Sequence, residues 1–239
     1  MNPYETRKLV DEYLLFHYGS SSEILPHPAG PQDALDFAVR TPAPAEPGPF
    51  KRALDLGCAV GRSSFEMSKV SEEVIGIDFS QAFIDAANTI KSGTPLRYQR
   101  LEEAHTFSTL TATLPEGALP EKVTFEQGDA MDLRSDLGSF DLVHAANLIC
   151  RLPDPGKLLD RLPDLVTPGG TLILATPCTW LEEYTPKENF PNGTTLDWLK
   201  DQLSPHFHLV SQTDEPFLIR ETARKFQWTV SLLTKWQRL

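Results

Sequence analysis

Apolar positions along the chain change their period from one region to the next. Near the start, Leu9, Val10, Tyr13, Leu14 and Phe16 recur three and four residues apart, which predicts an amphipathic helix. Residues 26–49 hold seven prolines and few large apolar side chains besides Leu35, Phe37 and Val39, so they predict an extended, semi-rigid connector. From Lys51 onward short apolar runs alternate with helical stretches. Strands are predicted at 52–56, 73–77, 123–127, 140–145 and 171–175, and helices at 61–70, 81–91 and 156–166. Strand and helix in alternation predict a parallel α/β sheet with right-handed crossovers. Two β-rich runs near the end, 208–212 and 226–233, suit an antiparallel hairpin on the sheet edge. Two stretches, 92–121 and 177–193, exceed what such a fold needs and read as functional or disordered insertions.

Composition narrows the class of protein. With 40 % hydrophobic residues in 239, the chain can bury a sizeable core. Lys and Arg number 22 against 33 Asp and Glu, a formal charge of −11 that argues against nucleic-acid and membrane-surface partners and favours a small-molecule substrate. Cys58, Cys150 and Cys178 form no CxxC pair, so neither a disulfide framework nor a metal site is expected. The first residues mix charges into their apolar positions, which is unlike a signal peptide or membrane anchor and points to a cytoplasmic protein.

Chemistry concentrates at the predicted strand ends. Residues 55–61 read Asp-Leu-Gly-Cys-Ala-Val-Gly at a strand-to-helix junction, where glycines allow a tight turn and close ligand approach. The dinucleotide fingerprint GxGxxG is absent, which disfavours a nicotinamide dehydrogenase. An acid two residues before the first glycine suits a ligand ammonium better than a pyrophosphate; the plain alternative is a turn with incidental glycines. Asp78 ends the next strand about twenty residues later, placed to accept from ribose hydroxyls or to serve as a turn residue. Asp129 leaves a third strand through Gly128, where a carboxylate can accept from an exocyclic amine. Asn147 lies just beyond a fourth.

These pieces, in this order and followed by Pro168-Gly169-Gly170, resemble the class I S-adenosylmethionine-dependent methyltransferases. The resemblance implies an α/β, doubly wound, mostly parallel Rossmann-like seven-stranded sheet spanning 51–239, with the 92–121 insertion. It implies S-adenosyl-L-methionine as cofactor and S-adenosyl-L-homocysteine as its product. Asp55, Gly57 and Gly61 would hold the methionine end, Asp78 the ribose, and Asp129 with Ala130 the adenine, with Arg62 and Phe79 completing the set. Ala59 departs from the pattern, since the family often has glycine there.

The flanks, including Tyr4-Glu5-Thr6, residues 12–19, residues 34–37, residues 216–221 and residues 225–228, resemble the methyltransferases of ovothiol biosynthesis. That likeness implies methylation of the imidazole π nitrogen of 4-mercaptohistidine (5-thiohistidine), giving ovothiol A, with a sulfoxide synthase of the same pathway as a partner. Such a reaction is an in-line displacement, and a neutral ring needs no prior deprotonation, only the tautomer that leaves the attacking nitrogen its lone pair. Residues 1–50 would be a helical lid over the substrate. Asn147, Tyr18 and His17 are the candidate catalytic residues, and Tyr13, Asn147, Arg151 and Arg220 the candidate substrate ligands. Tyr13, His17 and Tyr18 could equally be packing residues. Arg62 competes with Arg151 and Arg220 for the substrate carboxylate, and Arg220 could instead pair with Glu221 or Asp214. His144, on a buried strand, reads as structural. The remaining alternatives are a methyltransferase for another small amine, thiol or carboxylate, and a catalytically silent cofactor-binding module.

Overall fold

The computed structural model describes residues 3–44 and 48–239. A 3-10 turn at Pro3–Glu5 leads into α1 (Arg7–Tyr18), whose first turn is capped by the Thr6 side chain. Two short helices, α2 (Ser21–Ile24) and α3 (Phe37–Arg40), precede β1 (Phe50–Leu56). The α/β succession then runs α4 (Arg62–Ser68), β2 (Ser71–Asp78), α5 (Gln81–Lys91), a hairpin of β3 (Leu96–Glu103) and β4 (Thr106–Ala112), and β5 (Val123–Gln127). It continues with β6 (Phe140–Ala146), α6 (Pro155–Leu165), β7 (Val166–Thr176), α7 (Thr195–Leu203), β8 (Phe207–Arg220) and β9 (Phe226–Arg238).

Seven strands form one sheet in the order β5-β2-β1-β6-β7-β9-β8. All pairings from β5 to β7 are parallel, and β9 runs antiparallel to both neighbours. This is the parallel α/β sheet that the alternating pattern predicts, with the seven strands and doubly wound order that the family resemblance implies. The chain steps outward from β1 to β2 and β5 on one side, and from β6 to β7 on the other. A crevice therefore opens between the C-terminal ends of β1 and β6, the place where open α/β sheets bind ligands. Ala53, Leu54 and Leu56 are fully buried because helices cover both faces of β1, which is why parallel strands read as nearly continuous apolar runs.

Three expectations change. The described part of the 26–49 segment is packed rather than a bare connector: Ala34, Leu35, Phe37 and Ala38 are buried, and burying a side chain such as Phe37 contributes about 1.5–3 kcal/mol. Arg40 ties it to the sheet edge, pairing with Glu215 at 2.6 Å and donating to the Pro216 carbonyl at 2.9 Å. Pro47, within that stretch, lies outside the described residues. The 92–121 insertion is ordered as the β3–β4 hairpin and a 3-10 turn at Pro120–Lys122. The 177–193 stretch runs over the crevice and ends in α7. Among the described residues, no helix is long and apolar enough to cross a membrane.

Candidate functional site

A cavity of about 760 Å³ occupies the crevice, within the ~300–1,000 Å³ range of small-molecule sites. Asp55 enters it from the end of β1, where it is in register with His144 of β6. Its carboxylate is 1 % exposed, and burial is offset by specific donors. Ser64 Oγ donates to Oδ2 at 2.6 Å, and His144 Nδ1 lies 2.8 Å from Oδ1. With the Nδ1 proton directed at the carboxylate, Nε2 accepts from the Thr41 hydroxyl at 3.2 Å. His144 is thus more than core filler: it lines the cavity and joins the β1 carboxylate to the proline-rich segment.

The turn after β1 is shaped by left-handed backbone. Gly57 has φ 69°, and Gly61 has φ 87° as the N-cap of α4, where an added Cβ would stand 2.6 Å from Phe125 Cζ. Gly57 lines the cavity; Gly61 does not, and its contribution is the turn itself. Ala59 adopts φ 47° in the same loop, so alanine meets the conformation a glycine would take more freely. Asp78 fastens this loop by accepting from Ala59 N and from Ser80 N, each at 2.8 Å. Burial pushes its carboxyl up to about 6, against the lowering influence of those two N–H groups. Asp129, whose Oδ1 accepts from Met131 N at 2.8 Å, and Ala130 continue the wall at the end of β5. Phe79 also lines the cavity and is 60 % exposed, leaving a flat aromatic surface beside the carboxylates.

Asn147 lines the cavity just beyond β6, in the left-handed conformation (φ 55°) that asparagine tolerates. Ser231 Oγ donates to its Oδ1 at 2.7 Å, which fixes the amide and turns its NH₂ into a cavity donor. Arg151 donates to the Cys150 and Thr179 carbonyls, both at 3.0 Å, and its guanidinium lies 4.8 Å from the Tyr184 ring centre. Among the described residues lining the cavity it is the only arginine or lysine, facing the carboxylates of Asp55, Asp78, Asp129 and Glu183.

Helix α1 forms the opposite wall. Tyr13 lines the cavity, its ring 4.7 Å from that of Phe83, and burial raises its phenol far above the usual range. His17 lines it too; burial, with help from Arg62, pushes the ring down to about 3, so it is neutral. Phe16, Phe37 and Phe217 bring three rings together, with centroids 5.0–6.1 Å apart.

Three candidates fall elsewhere. Tyr18 does not line the cavity, because its hydroxyl donates to the Val60 carbonyl at 2.7 Å and pins α1 to the glycine turn. Arg62 is held by Glu66 at 2.9 Å and by the His17 carbonyl at 3.2 Å, away from the cavity. Arg220 pairs with neither Glu221 nor Asp214; it is buried against Glu102 of the hairpin at 2.6 Å and donates to the Glu23 carbonyl at 2.7 Å. Cavity residues not singled out from the motifs include Tyr4, Tyr184, Gln227 and Thr229. Tyr4, whose phenol is raised to about 12 chiefly by burial, carried a signal only as part of a flank resemblance.

The residues present fit a nucleoside-bearing amino-acid cofactor: carboxylates at the ends of β1, β2 and β5 line one cavity together with Gly57 of the turn. A methyltransferase-domain family model matches residues 30–232. Tocopherol O-methyltransferase from Arabidopsis thaliana is 30 % identical over 62 % of the chain and 36 % of its own length. A ubiquinone biosynthesis O-methyltransferase from Paraburkholderia phymatum is 27 % identical over 53 % of the chain and 44 % of its own. The chain thus spans less than half the length of these curated relatives. Among solved structures, a SAM-dependent methyltransferase from Methanosarcina mazei superposes with a TM-score of 0.54 at 18 % identity, covering 80 % of this chain and 93 % of that one. The N-methyltransferase NodS from Bradyrhizobium japonicum gives 0.51 at 14 %, covering 80 % and 87 %. With its sheet order, its glycine turn and a family model over most of its length, the chain belongs to the methyltransferase-domain family, whose cofactor is S-adenosyl-L-methionine.

Proposed function

We propose that the chain methylates the imidazole π nitrogen of 4-mercaptohistidine to give ovothiol A. The observation that carries this reading is convergence. Tyr4, Tyr13, His17, Phe37, Phe217 and Gln227 belong to the flanks that resemble the ovothiol methyltransferases, and residues from both ends of the chain line the same cavity. Generic methyltransferase motifs account for the carboxylate wall but not for this second one.

Asp55, Gly57, Asp78, Phe79, Asp129 and Ala130 would hold the cofactor along the carboxylate wall. Bound there, S-adenosyl-L-methionine supplies an electrophilic methyl on a sulfonium, and its sulfur keeps the bonding pair when a ring nitrogen takes the methyl. Arg151 anchors the substrate carboxylate, as the fixed cation of the cavity wall. The Asn147 amide donates to the substrate thiolate, and Phe16, Phe37 and Phe217 supply apolar surface that holds the ring and excludes water. The first fifty residues act as the lid, fastened to the glycine turn through Tyr18 and the His17 carbonyl. A sulfoxide synthase supplies the thiohistidine, and the setting is cytoplasmic.

The test is a one-methyl mass gain on incubating the protein with S-adenosyl-L-methionine and, separately, thiohistidine, histidine, and a set of small phenols and carboxylates. Product from thiohistidine but not histidine supports the reading. Product only from a phenol or carboxylate overturns it and moves the chain toward its O-methyltransferase relatives. Cofactor binding without turnover on any of them makes it a silent binding module.

A further inference from the structure

His17 presents a buried polar group with no visible use inside the protein. Its Nδ1 is sealed from solvent and has no hydrogen-bond partner, and among the described residues none bonds Nε2. An orphaned buried nitrogen is costly, so it calls for an explanation beyond packing. The ring sits on α1 among other rings, 5.2 Å from Phe16, 5.8 Å from Tyr13 and 6.5 Å from Tyr18 between centroids, and it faces the cavity. Being neutral, it carries one N–H and one lone pair; with Nδ1 sealed, Nε2 is the nitrogen left to meet a ligand. Asn147 complements it: with Oδ1 taken by Ser231, its side chain offers donors and leaves an acceptor to be found elsewhere.

On the methyl-transfer reading above, we propose that His17 is the specificity-determining residue that accepts the N–H of the substrate's τ ring nitrogen and so directs methylation to the π nitrogen. A neutral imidazole exists as two tautomers, and only the one protonated at τ carries a lone pair at π. An acceptor placed against τ selects that tautomer and keeps the τ nitrogen from competing. In the transfer one N–C bond forms with the π lone pair as one S–C bond breaks, and the positive charge passes from sulfur to the ring. The τ proton stays on the ring and is exchanged with solvent after release. Because burial and Arg62 keep His17 neutral across the physiological range, it adds no second cation beside the sulfonium. Gln227 and Thr229, which line the cavity from β9, are two rival acceptors among its polar lining.

The deciding measurement is the regiochemistry of the product, read by NMR as the ratio of π-methyl to τ-methyl. Wild type is expected to give the π isomer alone. His17→Phe should give a mixture and lower kcat at least tenfold, with KM for S-adenosyl-L-methionine within twofold. His17→Gln, which restores an acceptor, should recover the π isomer. His17→Leu provides the same readout if the Phe variant does not fold. A pure π product at unchanged kcat from His17→Phe overturns the proposal while leaving the methyl-transfer reading intact. So does loss of selectivity in Gln227→Leu with none in His17→Phe. Absence of thiohistidine turnover by wild type sinks the reading itself, and this proposal with it.

Discussion

Replacing Asp78 by alanine tests the proposed cofactor wall most directly. Its two oxygens each accept a backbone N–H, from Ala59 and Ser80, and each has a further lone pair for a ligand hydroxyl. A hydrogen bond to a charged group is worth about 1.5–3 kcal/mol, so two ribose hydroxyls at the lower end give about 3 kcal/mol. At ~1.4 kcal/mol per tenfold, Asp78→Ala should weaken S-adenosyl-L-homocysteine binding about a hundredfold by titration calorimetry. Asp78→Asn keeps the shape and one acceptor and should lose about tenfold. The pH dependence follows from the carboxyl being raised to about 6 in the free protein. Only its ionised form accepts from both hydroxyls, so wild-type affinity should fall about tenfold between pH 7 and pH 5, with an apparent pKa near 6. In Asp78→Asn that dependence should be flat. The same shift acts on stability. The folded chain holds this proton more tightly than the unfolded chain, whose carboxyl titrates near ~3.9. The Asp78 contribution is therefore complete below about pH 4 and is lost as pH rises through about 6. A folded Asp78→Ala protein with wild-type affinity and an unchanged pH profile would refute the assignment.

Three further outcomes separate site from scaffold. Arg220→Leu removes one of the two arginines on Glu102, which keeps Arg100, and should cost about 1–2 kcal/mol in urea unfolding while leaving kcat within twofold; a folded but inactive variant would return Arg220 to the substrate site. Gly61→Ala combines a left-handed φ with a clash against Phe125 and should lose about 3 kcal/mol, whereas Gly93→Ala, at φ 79° with open space around it, should lose about 1; equal losses would deny the clash. Ser231→Ala unfixes the Asn147 amide and should lower kcat about tenfold with cofactor affinity unchanged, as measured by steady-state kinetics and calorimetry; an unchanged kcat would remove Asn147 from the substrate contacts.

Much of the parallel sheet was legible because its strands are covered on both faces and read as apolar runs, and because Ser80 announces the start of α5 with a side-chain cap. The β3–β4 hairpin was not, since only Tyr98 and Ala112 of its two strands are buried, and the alternation in β4 runs through half-buried Ser108 and Leu110, too weakly apolar to mark a strand. Helix α7 escaped notice for a similar reason: apart from Thr195, only Leu199 and Leu203 in its nine residues are buried. The carboxylate wall was readable because each acid ends a strand. Which arginine reaches the cavity was not, because Glu102 and Arg220 meet only through folding, and local sequence gives no sign that one captures the other.

The imbalance of charge around the cavity bears on how turnover ends. The carboxylates of Asp55, Asp78, Asp129 and Glu183 line it against the single guanidinium of Arg151. A wall of that sign attracts a sulfonium more strongly than the uncharged thioether it becomes, and low-dielectric surroundings magnify the difference. Once the methyl has left, part of the attraction that held the cofactor is gone. With the cofactor held as proposed, the reaction itself would loosen the spent cofactor, so that the same acids that favour loading would ease product release.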